Sequence, residues 1–191
     1  IGVGNQSMND GENLIIDFVN SPSVTGSANN TYNLGGSHYQ VNNFTFSIVQ
    51  VGGNTPANSI EIWVRAYNAD DTDPSGNNIA HLAELRNDPQ LAITGIQVNG
   101  VALNLASLQT DGNGGYLIAG LNLNDQIVVS RTGGYDRLEI ENAISQTSAP
   151  DPSLNGDSFD LGKFSFTKVA AGNPIHLGFD LRLTDGDGDS V

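Results

Sequence analysis

The sequence predicts an all-β protein, an antiparallel two-sheet β-sandwich with one short helix. Three observations carry that expectation. Apolar and polar residues alternate at period two along most of the chain, the signature of strands buried on one face. The runs are short, and between them lie clusters such as GGSH, VGGNTPAN, TDGNGG and RTGGYD, whose Gly, Asn, Pro and Asp residues set turn dihedrals. The 23 glycines give the chain the composition of a loop-rich all-β protein.

Taken in order, Leu14, Ile16 and Phe18 share a face, as do Phe44, Phe46 and Ile48, and then Ile60, Ile62 and Val64. Further runs cover Ile93 to Val98, Tyr116 to Leu123, Ile127 to Val129, and Leu138 with Ile140. Phe164 with Phe166 and the alternating set Leu177, Phe179, Leu181 and Leu183 complete the series. Short strands separated by turn signals point to two packed sheets. The helix is expected from Ile79 to about Asn87, where Ile79, Leu82 and Ala83 follow an i, i+3, i+4 pattern and Pro89 ends it. No repeat of a solenoid or calcium β-roll is present.

The 191 residues read as a single domain, large enough to bury roughly 70% of the surface of the unfolded chain. With no cysteine there are neither disulfides nor thiolate metal sites, which leaves oxygen and imidazole as ligands. A net charge of −14 argues against nucleic acid and anionic membrane surfaces, both of which need Lys and Arg. No stretch approaches the 18 apolar residues of a spanning helix. Ile1 opens inside ordinary domain sequence, without a basic n-region or apolar h-region, so the chain reads as a module of a longer protein.

The chemistry legible in the chain is oxygen ligation of a hard cation. The terminal TDGDGDSV places Asp185, Asp187 and Asp189 on alternate positions with glycine between them, so that a curling backbone brings carboxylates onto one ion. Oxygen-only ligation of this kind selects Ca²⁺. The loop NADDTDPSGNN offers Asp70, Asp71 and Asp73 directly after the strand EIWVRAY. It is not an EF-hand, because with Asp71 first the twelfth place is Leu82, where a bidentate Glu is required. Weaker candidates are Asp10 with Glu12, Asp111 with Asn113, Asp136, and Asn155 with Asp157 and Asp160. Asp and Asn also cap turns through their own backbone without any metal, so each of these taken singly reads as a turn rather than a metal site.

Alternation places Trp63, Arg65 and Tyr67 on the face opposite Ile60, Ile62 and Val64. Tyr135, Arg137, Glu139 and Glu141 repeat the arrangement opposite Asp136, Leu138 and Ile140. An Arg beside aromatics binds a carboxylate bidentately or stacks on a ligand, while cross-strand Arg–Glu pairs on an exposed face give the same pattern. Catalytic signatures are absent: His38, His81 and His176 are scattered, and no HExxH, GxSxG or GxxxxGK occurs. Glu139 and Glu141 lie about 6.5–7 Å apart along a strand, a spacing without specificity. An enzyme is not expected.

The strings IGVGNQSMNDGENLIIDFVN, SHYQVNNFTFSIVQVGG, EIWVRAYNADD, GGYDRLEIENA and SFDLGKFSFTKVAAGNPIHLGFDLRLTDGDGDSV together resemble a ligand-binding, specifically peptide-binding, domain of the giant RTX adhesins secreted by the type I system. The resemblance spans nearly the whole chain, and the strand ending in FDLRLTDGDGDS is its most specific part. It implies a calcium-dependent module on the bacterial cell surface that captures protein C-termini on a host or algal surface, with the ion coordinating the free carboxylate. On that basis Asp70, Asp71 and Asp73 are expected at the ligand-facing ion. Asp185, Asp187 and Asp189 are expected at a structural ion joining this module to neighbouring domains. The alternatives are a calcium-dependent carbohydrate-binding module with Trp63, Tyr116 or Tyr135 as a platform, and a passive extender.

Overall fold

The protein is described here by a computed structural model covering residues 7–25, 33–52, 58–69, 88–143 and 158–168. Twelve strands follow in chain order: β1 (Asn13–Asp17), β2 (Val19–Thr25), β3 (Asn33–His38), β4 (Val41–Val51), β5 (Ile60–Tyr67), β6 (Gln90–Leu91), β7 (Gly95–Val98), β8 (Val101–Ala102), β9 (Tyr116–Leu121), β10 (Gln126–Tyr135), β11 (Arg137–Asn142) and β12 (Phe159–Thr167). A single 3₁₀ turn, Leu105–Ser107, is the only helical element among the described residues. The expected helix at 79–87 and the alternating run at 177–183 lie outside the described residues.

Two antiparallel sheets form the sandwich. One has the order β1-β11-β5-β6, and β9 lies in line with β6 along the same edge of β5. The other has the order β12-β4-β10-β7-β8, and β2 with β3 makes a separate two-stranded ribbon. The alternation that predicts the strands also builds the core. Ile60, Ile62, Val64 and Ala66 of β5, with Leu138 and Ile140 of β11, face Phe44, Phe46 and Ile48 of β4 and Ile127 and Val129 of β10. Each fully buried side chain of this size contributes about 1.5–3 kcal/mol relative to exposure. The β7–β8 hairpin turns on Asn99 and Gly100, both at positive φ, as the tight two-residue turn requires. No helix among the described residues is long and apolar enough to cross a membrane.

Two sequence expectations are corrected here. Tyr135 does not share the face of Arg137 and Glu139 but is wholly buried in the main core with Leu138 and Ile140. The parity slips because β10 breaks register between Ser130 and Tyr135, where Gly133 and Gly134 take φ of +90° and +81°. The last described strand begins earlier than its phenylalanine pair implies, since Phe159 and Leu161 are the core residues of β12. Phe164 and Phe166 follow a second irregularity, at Lys163 with φ +54°, and are 38% and 50% exposed.

Candidate functional site

Trp63, Arg65 and Tyr67 alternate with the core residues of β5 and emerge on the outer face of its sheet, as their spacing predicts. The face is not open. Trp63 packs with Leu117 and Ala143, and Tyr67 is buried. Arg65 stacks over the Trp63 ring at 5.2 Å and is gathered in by three carboxylates of the chain itself. Its Nη1 donates to Glu141 Oε2 at 2.6 Å and lies 3.3 Å from Glu139 Oε1, while its Nε donates to Asp111 Oδ2 at 3.2 Å. Glu139, only 1% exposed, also accepts the Tyr67 hydroxyl at 2.7 Å.

This geometry is dictated by register: Glu139 stands directly across from Arg65, and Arg137 across from both Tyr67 and Asp17. Arg137 pairs in turn with Asp17 of β1 and with Asp88, just ahead of β6. The two guanidiniums therefore bind internal carboxylates, and a ligand carboxylate would have to displace them. Of the residues expected to bind ligand, Trp63, Tyr67, Tyr135 and Arg137 are buried, and Arg65 is partly buried among carboxylates of its own chain.

Asp111 and Asn113 are likewise accounted for by the turn they occupy. Asp111 Oδ1 accepts the backbone N–H groups of Asn113 and Gly115, and Oδ2 accepts Arg65 Nε and Gln90 Nε2. All four donors are protein groups, and Asn113 itself is exposed. Burial alone would raise the Asp111 carboxyl. The bonds from Gln90, Asn113 and Gly115 and the Arg65 charge outweigh it, and the group lies below its ordinary 3.8. The glycines are part of this packing. A Cβ on Gly115 would lie 2.5 Å from Asp111 Oδ2 and 2.8 Å from Arg65 Cγ, and one on Gly114 would lie 2.6 Å from the Ala92 backbone. The glycine-rich string serves close approach between segments of the same fold.

Asp136 is also a structural carboxylate. It is buried between β10 and β11, and its Oδ1 accepts the Ala69 N–H at 2.6 Å. That bond lies at the exit of β5, one residue before Asp70. The other end is fixed as well: the Asn68 N–H donates to the Pro89 carbonyl, and Ala66 and Tyr67 pair with Leu91 and Gln90 of β6. With the Arg137–Asp88 ion pair, these contacts tie the residues on either side of 70–87 to the sheet. Asp70, Asp71 and Asp73 lie outside the described residues, as do Asp157, Asp185, Asp187 and Asp189. At the other turn candidate, Glu12 Oε2 accepts the Asn9 N–H, and Gly11 takes φ +72°.

Among the described residues no group of three or more His, Cys, Asp or Glu side chains is arranged to hold a metal ion. The partners Asp17 and Asp88 of Arg137 carry no local sequence signal, since they come from 120 and 49 residues away. Glu139, by contrast, is placed by strand alternation alone. No protein-family model, curated protein or solved structure matches the chain.

Proposed function

We propose that the protein is a calcium-dependent cell-surface adhesion module that binds the C-terminal carboxylate of a partner protein through an ion held in the 70–73 region. The observation that carries this reading is the clamped base of the acidic segment. Asp70 comes next after Ala69, whose N–H is held by Asp136, with Asp71 and Asp73 close behind in sequence, and the strand end before them is paired to β6. A binding loop mounted on rigid strands keeps its ligands positioned without ordering the scaffold at the moment of binding. An ion ringed by protein carboxylates with one position open presents a local positive centre in a chain of net charge −14, and a ligand carboxylate completes its shell.

The reading also rests on the resemblance to RTX adhesin modules, and with it goes location on a bacterial surface among neighbouring domains. A carbohydrate-binding role is the weaker alternative. The burial of Trp63 and Tyr135 removes two of the three aromatics expected as a platform. A passive extender would need no such mounted acidic segment.

Calorimetric titration of the calcium-loaded protein with a peptide library decides between these. Peptides with a free C-terminus are expected to bind, and both C-terminal amidation and EDTA are expected to abolish binding. Equal affinity for the amidated peptides, or binding only on a glycan array, overturns the proposal. Asp71→Asn with Asp73→Asn is expected to remove peptide binding while leaving the folded sheet intact by circular dichroism.

A further inference from the structure

The sandwich is open along one side, between β1 and β12, which lie at the margins of their sheets among the described strands. Phe166 stands directly across from Phe44, and cross-strand partners share a face. Phe44 is buried in the core, so Phe166 points inward, yet it is half exposed. Its ring packs against Phe18 and Tyr39 on one side, and an inward-facing phenylalanine left half exposed marks a place where the apolar layer between the two sheets is incomplete. Facing it from the other sheet, Leu14 and Ile16 pair with Ile140 and Leu138 of the core and are themselves only partly buried. These side chains, with Phe18, Phe44 and Phe164, line a cavity of about 450 Å³.

We propose that this groove is the docking site of residues 177–183 of the same chain, LGFDLRL. Their pattern is that of a strand with one buried face: Leu177, Phe179, Leu181 and Leu183 on one side, Gly178, Asp180 and Arg182 on the other. The direction is right. Met8 forms an antiparallel bridge with Phe159 at one end of these margins, the turn from Asn9 to Glu12 then reverses the chain into β1, and Phe18 meets Phe166 at the other end, so β1 and β12 run the same way. The described chain leaves β12 at the Phe18 end, where Lys168 caps the Tyr39 ring at 4.9 Å. A returning segment therefore runs antiparallel to both margins, the one arrangement that needs only a short reversal. Gly172, Asn173 and Pro174 supply turn chemistry at that point. Seven residues in strand conformation span about 23 Å, ample for the length of β1.

The inference concerns the apolar side of the sandwich and does not rest on the calcium reading. It is tested on the full, unaltered chain by NMR in calcium-containing buffer. Nuclear Overhauser contacts are expected between the rings of Phe164 and Phe166 and the side chains of Leu177, Phe179, Leu181 and Leu183, within one molecule. Their absence overturns the proposal, and so does their appearance only between differently labelled molecules, which would make the occupant a second copy. As a second measurement, Phe179→Asp with Leu181→Asp is expected to speed amide exchange of Leu14 to Asp17 about tenfold or more. Unchanged exchange in a folded variant also overturns it.

Discussion

At the scale of single residues, Arg65 shows how a side chain that alternation sets on an outer sheet face is gathered in by its own chain. Its guanidinium is held by Asp111, Glu139 and Glu141 and covered by Trp63, so its charge is spent within the sheet face. Replacing it by Met leaves Glu139 buried beside Glu141 without that countercharge. The expected loss is about 3 kcal/mol or more, read from urea denaturation. Asp111 carries a pH signature. Its folded carboxyl titrates below the unfolded value of 3.8, so the folded state binds fewer protons there and gains stability above that value. The gain drains away as pH falls through the folded value. Asp111→Asn is therefore expected to lower the melting temperature at neutral pH and to make the decline below about pH 4 shallower than in the unaltered protein.

At the scale of elements, alternation and turn chemistry account for most strands, and the exceptions have a shared cause. In β5 the face of every residue follows from counting by two, and Ile60, Ile62 and Val64 lie in the core as that count requires. In β10 and β12 the count fails after a residue at positive φ or a register break, because one extra residue turns every later side chain to the other face. Nothing in the string RTGGYD distinguishes a bulge from an ordinary strand end. The string TDGNGG was legible as a turn, but not the reason for its closing pair of glycines, which is the approach of Ala92 and Arg65 from other segments. Gly114→Ala, at φ +106° and against the Ala92 backbone, is expected to cost about 2 kcal/mol or more in thermal or urea unfolding. Gly112→Ala, at φ +86° with open space around it, is the control and meets only the backbone cost, about 1 kcal/mol.

At the scale of the whole molecule, a net charge of −14 opposes compaction through self-repulsion, which any salt relieves. A specific ion effect must exceed that screening. Calcium at about 10⁻⁴–10⁻³ M is expected to raise the melting temperature beyond sodium chloride of matched ionic strength, and EDTA to reverse the gain. A melt that responds equally to both salts removes the calcium reading. The sequence by itself determined the all-β class, the membership of most core faces and the acidic character that turns the functional argument toward cations, because periodicity, turn chemistry and charge are local properties of a chain. Only the tertiary structure decided that Trp63, Arg65, Tyr67 and Arg137 are enclosed, that Asp111 and Asp136 hold backbone and side chains of their own fold, and that one side of the sandwich stands open at Phe166. Each of these depends on which distant segments meet, and strand pairing across the sheets, not spacing along the sequence, sets those meetings.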